Sequence, residues 1–102
     1  MLWKTEFSSL LKDFELKHQP VIIRVNKFDE KAAQDFNSKM ASAQSTGQKV
    51  VPVVIDSYGG QVYSLMSMIS AIKSSEIPVA TIVEGKAMSC GAVLLSFGEQ
   101  GM

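Results

Sequence analysis

Scarcity defines this chain before any motif does. It contains one cysteine, one histidine and three prolines in 102 residues, and its ten basic side chains balance ten acidic ones. A single cysteine cannot form a disulfide framework, and one cysteine with one histidine is too few for a structural zinc site. A reducing compartment, the cytoplasm, is the expected location. The charge balance lacks the basic footprint of a nucleic-acid binder, and no local cluster of Lys or Arg restores it. No apolar run approaches the roughly 18 residues that a membrane span needs. Acids interrupt the N-terminal stretch MLWKTEFSSLLKDFELK, which argues against a secretory signal there. Neither a nucleic acid nor a membrane is an expected partner, and nothing in the composition calls for a metal or another cofactor.

What is present reads as one folded unit. Hydrophobic residues make up 46% of the chain and charged residues 20%, too apolar a balance for disorder. There is no internal repeat, low-complexity tract or linker, so residues 1–102 are expected to form a single domain. Trp3, Phe7, Leu10, Leu11 and Phe14 fall at helical spacing and predict an amphipathic helix within residues 1–17. The β-branched run Pro20–Val25 predicts a first strand. Asp29 is the expected N-cap of a helix with Ala33, Phe36, Met40 and Ala43 on its buried face, closed by Ser45, Thr46 and Gly47. A second strand is expected over Val50–Asp56, irregular at its start or lying at an edge because of Pro52. The next helix should bury Val62, Leu65, Met66, Ile69 and Ile72. A third strand over Pro78–Gly85 leads into a last helix closing near Gly98. The six methionines, Met66, Met68 and Met88 among them, are expected as core filler. Repeated β-α units with near-continuous apolar strands imply an α/β fold, a mainly parallel sheet covered by helices.

In such a sheet, ligands sit beyond the carboxyl ends of the strands. Two unusual turns fall there. The first, SYGG, ends the second strand; its paired glycines let the backbone approach a ligand and turn N–H groups outward. The second, KAMSCG, ends the third strand and sets Ser89 between Ala87 and Gly91, the small-x-Ser-x-small spacing of a nucleophile on a sharp strand-to-helix turn. Taken alone, Ser89 reads first as a helix cap and SYGG as a turn without a ligand. Together, on one sheet edge, they can supply what acyl transfer needs: a hydroxyl nucleophile and two N–H donors, from Gly59 and Cys90, facing the developing oxyanion.

The stretch from Val50 to Gly101, with IDSYGG, the helix after it and EGKAMSCGAVLL, resembles the central part of the Clp protease proteolytic subunit. The resemblance implies a Clp protease/crotonase-like fold, incomplete at its C-terminal end, and a serine endopeptidase. It implies Ser89 as nucleophile, the N–H groups of Gly59 and Cys90 as oxyanion hole, and Gly60, Gln61 and Val62 as the segment that pairs with an extended substrate strand. It further implies a peptide or protein substrate, a homo-oligomeric ring and an AAA+ ATPase partner. Two positions depart from the family pattern: Tyr58 replaces a proline and Cys90 a methionine. The DSPGG of signal peptide peptidases, which use a Ser–Lys pair, is similar to IDSYGG, but the AVLLSFGEQG tail favours the Clp type.

The partners of the serine are not evident. In the family a histidine and an aspartate follow the serine, so both are expected beyond Met102, in a longer protein of which this chain is a fragment. By itself the chain is expected to be nearly inert toward peptides. His18 lies at the opposite end of a parallel strand. Lys86, three residues before Ser89, reads as a solvated lysine and, in second place, as a lysine base. Asp56 reads as a cap of the SYGG turn, and Cys90 as a buried structural thiol. Two other readings stay open: a crotonase-type acyl-CoA enzyme, and a non-catalytic assembly or binding module. The Trp3–Phe14 stripe reads first as packing on its own sheet and, in second place, as a docking face for a neighbouring subunit.

Overall fold

β-Branched and apolar runs build the strands, and the helices between them bury one stripe each. The computed structural model describes residues 20–99. The predicted helix within residues 1–17 and His18 lie outside the described residues. The order is β1 (Ile23–Val25), α1 (Glu30–Gln44), β2 (Val51–Ser57), α2 (Val62–Ser74), β3 (Val79–Ala87) and α3 (Cys90–Leu95). The strands form a parallel sheet in the order β1-β2-β3.

The first helix forms as its sequence dictates. Asp29 is its N-cap, accepting the Ala32 N–H at 2.8 Å, a contact worth about 1 kcal/mol. Ala33, Phe36, Met40 and Ala43 are its buried residues. The helix ends where the Thr46 hydroxyl donates to the Ala43 carbonyl and Gly47 takes φ +81°.

The second helix departs from expectation. Its buried face is Ser64, Leu65, Met68, Ile69 and Ile72, whereas Val62 and Met66 are 65% and 56% exposed. A helix turns 100° per residue, so Val62 and Met66 share a row at the flank of the Leu65–Met68–Ile72 face. Of the methionines expected inside, Met68 is buried, and Met66 and Met88 are not.

Pro52 also departs from expectation, because it stands in the central strand, opposite Ala80 of β3. Val51 donates to the Pro78 carbonyl at 2.9 Å on the β3 side. Alternation along the strand therefore turns the Pro52 nitrogen toward β1, just ahead of the first β1 pair, Ile23 with Val53. Gln48 supplies the polar partners there. Its Oε1 accepts the Val21 N–H at 2.8 Å, and its Nε2 donates to the carbonyls of Val21 and Val50 at 3.2 and 2.7 Å. A side-chain amide thus replaces the ladder contacts that a proline cannot make.

The inward residues of β2, Val51, Val53, Ile55 and Ser57, are buried, while Pro52, Val54 and Asp56 alternate with them at intermediate exposure. The core lies between this face and the helices. It contains Phe28, Phe36, Met40, Met68 and Leu94, each contributing about 1.5–3 kcal/mol by burial. The last helix packs on β2, β3 and α2. Its end is fixed by Gly98, whose backbone lies too close to Thr81 for any side chain, while the Thr81 hydroxyl donates to the Leu95 carbonyl at 2.7 Å.

Candidate active site

The sheet changes register where the two turns begin. Ile55 pairs with Val83, but the next β2 pairing is Ser57 with Ala87, so β3 carries two extra residues across this interval. Gly85 makes the bulge possible. It has φ +107°, and a Cβ there would lie 2.7 Å from an Asp56 carboxylate oxygen. Beyond the bulge Lys86 returns to the sheet and meets Asp56, Nζ to Oδ1 2.8 Å, with the same ammonium 4.5 Å above the Tyr58 ring. Asp56 therefore does not cap the SYGG turn as expected; it is the partner of Lys86. The hydrogen bond from Lys86, outweighing desolvation, holds the Asp56 carboxyl below the usual carboxylate range. The same bond raises the Lys86 ammonium above its ordinary value. A lysine base must be neutral, so this pairing opposes that role.

Ser89 occupies the corner between β3 and α3. It has φ +52° and ψ −116°, and is the one non-glycine residue with positive φ among the described residues. Such a conformation is sparsely populated and costs on the order of 1–3 kcal/mol. It stands at the N-cap position of α3, as the cap reading expects, but its side chain makes no cap hydrogen bond. The backbone holds the corner: the Met88 N–H donates to the Ser57 carbonyl at 3.0 Å, and the Gly91 N–H to the Met88 carbonyl at 2.9 Å. Ser89 is exposed, while Cys90 and Gly91 behind it are buried. Cys90 is the first helical residue, and its N–H is one of the end donors for which a helix has no internal acceptor.

The SYGG turn lies directly against this corner. A Cβ on Gly59 would fall 2.8 Å from the Ser89 Cβ and 3.3 Å from its Oγ. Gly60 is as confined on its other side, where a Cβ would meet the Phe28 carbonyl oxygen at 2.6 Å. That carbonyl accepts the Gln61 N–H at 2.7 Å, and Val62 already begins α2. The Cys90 thiol closes the arrangement, donating to the Gly60 carbonyl at 3.4 Å. The structure thus brings together Ser89, Gly59, Gly60 and Cys90, and it sets Gln61 and Val62 at the entry to α2.

One residue at this corner escapes a reading by sequence motif. Ser57 is 1% exposed, and its hydroxyl accepts the Gly59 N–H at 3.0 Å. The pattern Ser-x-Gly at a strand end, in which a hydroxyl bonds the backbone two residues on, was the available signal. Two cavities of about 370 and 320 Å³ lie elsewhere, one beside Asn26 and Asp35 and one beside Glu76 and Phe97. Ser89 lines neither. It is exposed, between the end of β3 and the start of α3.

A Clp protease family profile matches residues 5–102. The chain belongs to the Clp protease family. Its fold is similar to the crystal structure of the ClpP protease catalytic domain from Plasmodium falciparum, with a TM-score of 0.74 and 21% identity over 89% of this chain. The chain spans about half, 51%, of that structure. Membership accords with the parallel β-α repeat. Among the described residues no helix is long and apolar enough to cross a membrane.

Proposed function

We propose that this Clp protease chain carries the nucleophile half of a serine endopeptidase site. The observation that carries the reading is Ser89 itself: a serine forced to φ +52° at a strand-to-helix corner, exposed and without a capping bond. That strain is sensible if the corner exists to present a hydroxyl.

In this reading Ser89 Oγ attacks the carbonyl carbon of the scissile peptide and gives its proton to a general base. The carbonyl oxygen becomes an oxyanion held by the N–H groups of Gly59 and Cys90. The protonated base gives that proton to the departing nitrogen as the tetrahedral intermediate collapses, leaving an acyl-serine. Water, deprotonated by the same base, then attacks the acyl carbon, and the proton returns to Ser89 Oγ as the acid is released. The base is a histidine oriented by an aspartate, both supplied beyond Met102 in the family's order. Lys86 does not serve, being held charged by Asp56. Gly60 offers backbone to an extended substrate; Gln61 and Val62 border it, the Gln61 N–H being taken by Phe28. Assembly as a ring of identical subunits, with an AAA+ ATPase feeding protein substrates in the cytoplasm, belongs to the same proposal.

The test is labelling of the complete gene product by a fluorophosphonate, with the adduct located by peptide mass spectrometry. A phosphonylated Ser89 in wild type and no label in Ser89→Ala is the expected result. Labelling that survives Ser89→Ala would reject the reading, and acyl-CoA binding without labelling would favour crotonase-type chemistry instead.

A further inference from the structure

The hydroxyl of Ser57 makes a contact that the serine peptidase reading does not use. It is buried, it accepts the Gly59 N–H at 3.0 Å, and it lies 3.4 Å from the Gly59 carbonyl oxygen. The Ser57 carbonyl meanwhile accepts the Met88 N–H at 3.0 Å. One residue therefore grips both turns, its side chain holding the turn of the oxyanion donor and its backbone holding the corner of the nucleophile. We propose that Ser57 is a positioning residue for acyl transfer, whose hydroxyl holds the Gly59 peptide in the turn that abuts Ser89 and gives up the Gly59 N–H to the oxyanion as charge develops. The inference rests on the peptidase reading of Ser89.

Little else orients that N–H. Gly59 and Gly60 have no Cβ to restrict them, both lie at positive φ, and Tyr58 lacks the locked φ of a proline. Cys90 and Phe28 anchor the Gly60 carbonyl and the Gln61 N–H, so without the hydroxyl it is the Tyr58–Gly59 peptide plane that loses its hydrogen bond and can turn from the corner. The hydroxyl also competes with substrate for the same proton, so the sign of its effect has to be worked out. A bond between neutral groups is worth about a factor of ten at most in equilibrium terms, and a charged acceptor binds roughly twice as strongly, so the oxyanion displaces it. Loss of one oriented oxyanion donor lowers the rate about 10²–10³-fold. Orientation outweighs competition, and removing the hydroxyl should slow the reaction about 10–100-fold.

The experiment measures, in the complete gene product, the second-order rate of fluorophosphonate labelling, and kcat and KM for a fluorogenic peptide. The variants are Ser57→Ala, Ser57→Thr and Ser89→Ala. Amide hydrogen exchange of the peptide spanning Gly59 is followed in parallel. The expected result for Ser57→Ala is labelling and kcat lower by about 10–100-fold, KM within threefold of wild type, and faster exchange at Gly59. Ser57→Thr, which restores the hydroxyl, should recover most of the rate. Equal labelling of Ser57→Ala and wild type, with Ser89→Ala unlabelled, would overturn the role of Ser57 alone, as would Gly59 exchange that does not change. Labelling that persists in Ser89→Ala would overturn the peptidase reading and this inference with it.

Discussion

Gly59→Ala is the substitution on which the geometry speaks most directly. The residue has φ +116°, and an added Cβ would sit 2.8 Å from the Ser89 Cβ and 3.2 Å from the Met88 carbonyl oxygen. Positive φ costs an alanine roughly 1–3 kcal/mol, and overpacking against the corner adds about 1–3 kcal/mol. The sum, roughly 2–6 kcal/mol, consumes much of the ~5–15 kcal/mol that a domain has available without abolishing folding over most of that range. The contact is relieved only if one of the two turns moves by several tenths of an ångström. Since misplacement by about 1 Å can lower a rate 10²-fold, fluorophosphonate labelling of Ser89 should fall at least that far. Gly47→Ala is the matched control: it also has positive φ, +81°, but nothing lies within 4 Å of its Cβ position. It should lose only about 1–2 kcal/mol and label normally. Urea unfolding midpoints together with labelling rates separate the two effects. A folded Gly59→Ala protein that labels as fast as wild type would show that Gly59 does not abut Ser89 as described.

Further outcomes follow from three other places in the fold. The Asp56–Lys86 pair should make stability depend on pH at both extremes. The lowered Asp56 contributes above the ordinary value of about 3.9, a contribution lost as pH falls through its folded value; the raised Lys86 contributes below about 10.4, lost as pH rises through its own. Lys86→Met should bring the Asp56 titration, followed by carboxyl NMR, back toward the ordinary range; an unmoved titration would assign the shift to another cause. The same variant should keep Ser89 labelling within about tenfold of wild type, and complete loss would reinstate a lysine base. Gln48→Ala should destabilise the fold by about 1–3 kcal/mol in denaturant, because the polar groups of Val21 and Val50 lose their partner beside Pro52; an effect under 0.5 kcal/mol would mean that water replaces it without loss. Phe36→Ala, at a site 1% exposed, should cost about 3–5 kcal/mol, and a smaller midpoint shift would mean that the core collapses around the vacancy.

Much of the fold was legible because the signals are local. Asp29 announces α1, and the 3.6-residue spacing of Ala33, Phe36, Met40 and Ala43 marks its buried face. Pro52 misled because a proline in an isolated run does not reveal which neighbour it faces; the vacancy lies toward β1, where Gln48 fills it. Val62 and Met66 misled because an apolar row on a short helix can lie at the flank of the face that packs. The bulge at Glu84–Lys86 had only Gly85 as a marker. Its consequence, Lys86 folded back onto Asp56, joins residues 30 positions apart and has no local signature.

The sequence by itself determined the β-α alternation, the family, and the two small-residue turns at one edge of the sheet, because strand and helix periodicity and glycine pairs are properties of neighbours along the chain. Only the tertiary structure decided what those turns do to each other. Parallel pairing of β2 with β3, with two residues looped out of register, presses Gly59 against Ser89. It gives Lys86 to Asp56 rather than to the serine, and it makes Ser57, inconspicuous in the chain, the residue bonded to both corners. These are contacts between strands, and sheet register, which sets them, is a product of packing.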